Sequence, residues 1–225
     1  MATTRSQRRS DRARAGRKRA AQPVATHDAA RTAAIARIKD EHLALASVLY
    51  GLRHATAHIR EHGTPDFRLL FALLDYIVEF PERLHHPKED HYLFRALATR
   101  CADARSLVAE LAAEHVRGDA LIGTLRDALL DYSRIGAGAF EPFAAAVEDY
   151  VAFHWQHMGK EEEVLLPLAQ RHLTGEDWAR IDAAFRANDN PLAGLKPRAH
   201  AELLFRRILD LVPARPAIAA SAERA

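Results

Sequence analysis

The sequence of 225 residues holds a single cysteine, Cys101, only ten glycines and ten prolines, and few aromatic residues, at 7%. One thiol can close no intrachain disulfide and cannot build a cysteine-rich metal site, so a disulfide scaffold and a thiolate zinc cluster are both excluded. No stretch approaches the roughly 20 consecutive apolar residues that a membrane-spanning helix needs. The arginine-rich start is not followed by the apolar segment of a secretory or twin-arginine signal, so the expected location is the cytoplasm, without a membrane partner. β-branched residues are thinly scattered, whereas alanine, leucine, arginine and glutamate are abundant. That composition predicts an all-helical chain. At 48% hydrophobic residues, there is material for one sizeable core.

The net charge of +2 hides an asymmetry. Residues 1–20, "MATTRSQRRSDRARAGRKRA", carry eight Arg/Lys against one acid, and the rest of the chain has 24 basic against 29 acidic residues, a net of −5. The basic pI therefore belongs to a tail, and the folded part is mildly acidic. A tail of this composition reads as a solvated, disordered extension, able at most to make a weak electrostatic contact with nucleic acid or an anionic surface. No aromatic residue interrupts it to stack on bases, so sequence-specific recognition of nucleic acid is not expected.

Helical periodicity organises the remainder. Apolar positions recur at Ile38, Leu45, Leu49, Leu52 and Ile59 in a segment over 27–62, with His42 in the same stripe. "HGTPD" breaks the pattern. A second segment over 66–99 is interrupted by Pro81 and Pro87, since proline inside a helix removes a hydrogen bond and crowds the preceding turn. A third covers 103–133, with Val108, Leu111, His115, Ile122, Leu125 and Leu129 inward. After "SRIGAGAFEP", a fourth covers 142–172, with Val147, Tyr150, His154, His157, Glu161, Val164 and Leu168 inward. Four long helices with short links predict an antiparallel up-down-up-down four-helix bundle over 27–173. One or two short helices follow over 174–212, the first opened by the capping pair Thr174 and Asp177, the second formed by "PRAHAELLFRRILDLV"; residues 1–26 and 213–225 are tails.

Each long helix puts a histidine on its core stripe, where an unsatisfied polar group is costly. Counted from the turn near residue 64, His42 lies 22 positions before and His85 lies 21 after. From the turn near residue 102, Glu89 and His115 each lie 13 positions away; from that near 137, His115 lies 22 before and His157 lies 20 after. With about 1.5 Å of rise per residue, all four imidazoles fall within one helical turn along the bundle axis. His85 and His157 each bring a glutamate at i+4, Glu89 and Glu161, on the same helix face. The halves of the chain repeat: "EH" at Glu41–His42 returns at Glu114–His115, and "HHPKED" returns as "HMGKEE", at offsets of 73 and 72 residues. A duplicated helical hairpin thus supplies four imidazoles and two carboxylates to one level. This mixed nitrogen and oxygen donor set can hold two metals bridged by glutamates from opposite helices, with positions left open for a small molecule.

"DEH", "HHPKEDHYLF", "AEH", "HMGKEEEVLLPLA" and the trailing "LTGEDWARIDAAFRANDNPLAG" together make the chain resemble the hemerythrin-like HHE cation-binding domains over 34–194. The resemblance implies a non-haem, oxo- or hydroxo-bridged centre of two Fe ions with ligands at His42, His85, Glu89, His115, His157 and Glu161. Oxygen-carrying hemerythrins place a further histidine four residues after the one in the third helix, where this chain has Asp119. A fifth nitrogen has to come from His86 or His154, the latter otherwise a hydrogen-bonding neighbour of the ligands. Asp90 and Glu162, next to the expected ligands, read as solvated or supporting carboxylates. His54, His58 and His62 read as surface residues near a turn.

The expected function is binding of, or reaction with, a small oxidant, whether dioxygen, nitric oxide or peroxide, at the di-iron centre. The alternative is an iron-binding, iron-sensing or iron-donating role without turnover, the last suggested by family members that repair iron–sulfur clusters. A tail-mediated nucleic-acid protein leaves the histidine level unexplained.

Overall fold

The computed structural model describes residues 22–188, and every regular element among them is helical. The first helix, Gln22–His62, buries Ile38, Leu45, Leu49, Leu52 and Ile59, the stripe predicted for it. It ends at Gly63, whose φ of 70° and N–H to the Ile59 carbonyl at 2.7 Å form a left-handed cap that glycine adopts without strain. The second helix, 67–100, is opened by Asp66, whose side chain accepts from the Leu69 N–H at 3.1 Å. The third, Arg105–Ile135, stops at Gly136 with φ 81°. The fourth covers 140–172 and the fifth is Gly175–Arg186. No helix among the described residues is long and apolar enough to cross a membrane. The amphipathic stretch 197–212, residues 1–21 and residues 213–225 lie outside the described residues, whereas residues 22–26, read from the sequence as part of the tail, open the first helix.

Pro81 and Pro87 do not interrupt the second helix; Pro81 lies in a widened segment and Pro87 between two of them. Two π-helical segments, Val78–His85 and Glu89–Phe94, flank the short α-helical stretch His86–Lys88. The His86 N–H reaches the Pro81 carbonyl, five residues back, so one extra residue enters the turn. Adjacent side chains on a regular helix diverge by about 100°. The widened turn instead brings both His85 and His86 inward, each 5% exposed.

The fourth helix widens at the matching place, Glu161–Leu165, with the Leu166 N–H on the Glu161 carbonyl. This corrects the inward stripe read from the sequence. Val164 is 45% exposed, and Leu165, Leu166 and Ala169 are buried instead, because the inserted residue rotates everything after Glu161.

The apolar core falls into two parts. One contains Leu49, Leu52, Leu73, Ile77, Leu125, Phe143 and Val147; the other contains Ile38, Leu93, Leu97, Leu111, Leu165 and Trp178. Between them lies a layer of buried polar side chains, Glu41, His42, His85, His86, Glu89, His115, His157 and Glu161. Ile38 and Leu45 fall on opposite sides of His42, as Leu111 and Ile122 do of His115. Each helix therefore changes from apolar to ionisable and back within a few turns.

The fifth helix closes this layer from the side. Thr174 and Asp177 form the predicted capping box, with Asp177 N–H on Thr174 Oγ1 at 3.2 Å and Thr174 N–H on Asp177 Oδ2 at 3.0 Å. Burial would raise the Asp177 carboxyl, but Thr174, Arg100 and Arg180 hold it down to about 2. Phe185 packs edge-on against His85, with ring centres 5.5 Å apart, and the Asn188 amide donates to Glu41 at 3.0 Å. Replacing Thr174 by alanine is expected to cost about 1–2 kcal/mol, read as a lower urea midpoint at unchanged slope.

Candidate metal centre

Matched heights become direct contact. His42 Nε2 lies 3.1 Å from His85 Nε2, and His115 Nε2 lies 3.1 Å from His157 Nε2. The six expected ligands are buried, at 5% exposure or less.

The other nitrogen of each ring is fixed by a carboxylate from outside the group. His42 donates Nδ1–H to Glu162 at 2.9 Å and His85 to Glu41 at 2.7 Å. His115 donates to Asp90 and His157 to Glu114, both at 3.0 Å. These supports follow the sequence repeat. The glutamate of each "EH" pair holds the histidine of the next helix, and the acid after each presumed ligand glutamate holds the histidine of the lone-His helix. With Nδ1 engaged, every Nε2 is left facing inward, the tautomer a metal ligand needs. Glu114 is braced by Lys160 and Glu162 by Lys39. The repeated "EH" was visible in the sequence, but the task of its glutamates was not, because each acts on a different helix.

Glu89 and Glu161 lie between the two histidine pairs. Glu89 approaches His85 Nε2 at 3.3 Å and His115 Nε2 at 3.6 Å; Glu161 approaches His42 at 3.3 Å, His157 at 3.4 Å and His115 at 3.7 Å. Their oxygens are fully buried and make no hydrogen bond, so what holds them is charge. Burial would raise both carboxyls, and Glu89 would raise Glu161 further, yet the surrounding imidazoles keep both below the usual carboxylate range. In return, burial would lower the imidazoles. The carboxylates of Glu161 and Glu162 push His42 up to about 9, those of Glu89 and Glu41 push His85 up to about 10, and those of Asp90, Glu161 and Glu89 push His115 up to about 12. The carboxylates thus demand positive charge in this layer, from protons or from metal.

His86 joins the group. Its ring stacks on His115 at 4.2 Å, its Nδ1–H is held by Glu82 at 2.9 Å, and a ring nitrogen lies within 4.8 Å of ligand atoms of His115 and His157. Two further sets meet that distance, Glu89 with His115, His157 and Glu161, and His42 with His85 and Glu89. Burial and the neighbouring imidazoles of His115 and His85 hold His86 well below the usual range, leaving it neutral. His154 is in none of these sets: it lies behind His86, ring centres 6.0 Å apart, and is fully buried. Asp119 is at the surface, where burial and the neighbouring Glu82 charge raise its carboxyl. His54 stacks against Tyr50 and His58 against His62, away from the layer.

Orphaned buried carboxylates facing imidazole nitrogens fit a metal ion, and the oxygen and nitrogen donor set suits iron among other transition metals. A helical domain with a buried histidine and glutamate layer of this kind defines a cation-binding bundle. Residues 25–169 match the hemerythrin HHE cation-binding domain, and the chain belongs to that family. It matches no curated protein and no solved structure.

Proposed function

We propose that the chain holds two iron ions in this layer and binds or reacts with a small oxidant there, with dioxygen, nitric oxide or peroxide as the candidates. The ligands are His42, His85 and Glu89 on one side and His115, His157 and Glu161 on the other, with His86 as a third nitrogen for the latter. The observation that carries this reading is the pair of buried carboxylates, Glu89 and Glu161, each spanning both histidine pairs without a hydrogen bond. The four long helices are read as running up and down in turn. Supporting this, Arg60 pairs with Glu141, Arg53 with Glu148 and Lys39 with Glu162, numbers rising along one helix as they fall along the other.

Iron bound there supplies a redox-active Lewis acid with positions left for an incoming molecule. The chain's own part is orientation and exclusion. Glu41, Asp90, Glu114 and Glu162 fix the imidazoles, and the two apolar cores keep bulk water out. A cavity of about 10 Å³, lined by His42, His85, His86, His157, Met158 and Leu45, adjoins the layer. That is room for about one water, which favours a reactant with two heavy atoms.

In the repeat, His86 corresponds to Met158, also buried. His86→Met is therefore expected to keep the fold while weakening one of the two iron positions, seen as a second titration step shifted to higher iron concentration. The function itself is tested by consumption of peroxide or nitric oxide by iron-loaded protein. Loss of that consumption in His157→Ala supports an oxidant-directed role. An iron-loaded wild type that consumes neither points to the alternative, binding, sensing or donation of iron without turnover.

A further inference from the structure

Behind His86, the second, third and fourth helices enclose a group of polar side chains that meets the centre only where Glu82 holds His86. His154 is fully buried, and neither of its ring nitrogens has a hydrogen-bond partner. Its Nε2 lies 3.8 Å from Glu82 Oε1, too far for a hydrogen bond. Glu82 is itself buried at 5% side-chain exposure. It accepts from Tyr150 Oη at 3.0 Å on that same oxygen and from His86 Nδ1 at 2.9 Å on the other. Asp119 is exposed on the third helix, and burial and the Glu82 charge raise its carboxyl above the usual range.

The residue beside Asp119 is Gly118, and a Cβ there would stand 3.6 Å from both Glu82 Oε1 and His154 Nε2. The missing side chain leaves a small buried notch beside this pair, bounded by the Phe153 ring, 3.4 Å from the same point.

We infer that this notch is a second cation site, in which a divalent transition-metal ion is held between Glu82 and His154, with Asp119 at its mouth, on the way to the buried centre. One ion about 2.0–2.2 Å from a nitrogen and an oxygen spans a donor separation of 3.8 Å, which no direct contact between the two fills. Imidazole with carboxylate suits Fe(II), Co(II), Zn(II) or Mn(II). The layer beyond is sealed, with ligand side chains at 6% exposure or less, so an ion must be handed inward. Glu82 is placed for that, with one oxygen facing His154 and the other on His86. The site stands independently of the di-iron reading; only its role as a way-station rests on that reading.

The test is Co(II), titrated into the full-length metal-free protein, located by anomalous diffraction and timed by stopped-flow absorbance. The expected result is a peak between Glu82 and His154 in addition to those of the centre. His154→Leu should lose that peak alone and slow the filling of the centre severalfold. Asp119→Asn, at the surface where folding is not at risk, should slow filling too. Peaks at the centre with a bound water only in the notch overturn the inference; filling at the wild-type rate in both variants overturns the way-station role. A notch peak without peaks at the centre leaves the site standing and overturns the way-station and the di-iron reading instead.

Discussion

Stripping metal from the protein is expected to lower its melting temperature by roughly 8–16 °C near neutral pH, and by more as the pH rises. A ligand at about a thousandfold above its Kd stabilises by about 4 kcal/mol, which in a chain of this size corresponds to that shift. The pH dependence follows from His42, His85 and His115, whose imidazoles are raised to about 9, 10 and 12 by the carboxylates around them. A group raised on folding contributes its full stability below its unfolded value, 6.5 for imidazole, and loses it as the pH climbs through the folded value. Metal-free protein should therefore weaken from about pH 7 upward, most steeply toward pH 9–10 as His42 and His85 lose their protons and leave Glu89 and Glu161 without counter-charge. Metal takes the place of those protons, so the loaded protein is spared. Calorimetric scans with and without chelator across this range check the account. A gap that narrows with rising pH would contradict it.

Glu161→Gln is expected to weaken iron binding by roughly a hundredfold or more, beyond the 10–100-fold typical of losing an outer support such as Glu114. Glu161 approaches three imidazoles from both histidine pairs, at 3.3, 3.4 and 3.7 Å, so with two irons bound as proposed the change replaces a carboxylate donor at both positions. An amide keeps the volume but presents one neutral acceptor in place of a delocalised charge. The metal-free variant should still fold, because the two apolar cores on either side are untouched. Its His42, deprived of a carboxylate, should titrate below the wild-type value, as an NMR titration of the imidazole would report. Iron affinity within a few-fold of wild type would remove Glu161 from the ligand set.

Four helices, their levels and the repeated pairing of histidine with glutamate could be read from spacing alone, because a regular helix ties sequence position to height and face. The same rule failed where the helix is not regular. At Glu161–Leu165 one inserted residue moved Val164 outward and Leu165 inward, and at Pro81 it turned His85 and His86 to the same side. Proline at 81 and 87 signalled a disturbance without saying whether the helix would break or widen. Contacts between helices were equally hidden. Glu41 serves His85, Glu114 serves His157, and Glu82 sits between His86 and His154, partnerships that no spacing within one helix reveals.

The most direct test of the central claim is an anaerobic Fe(II) titration of metal-free protein, followed by absorbance and metal analysis. The account predicts an endpoint at two irons per chain. An endpoint at one or at none would contradict it.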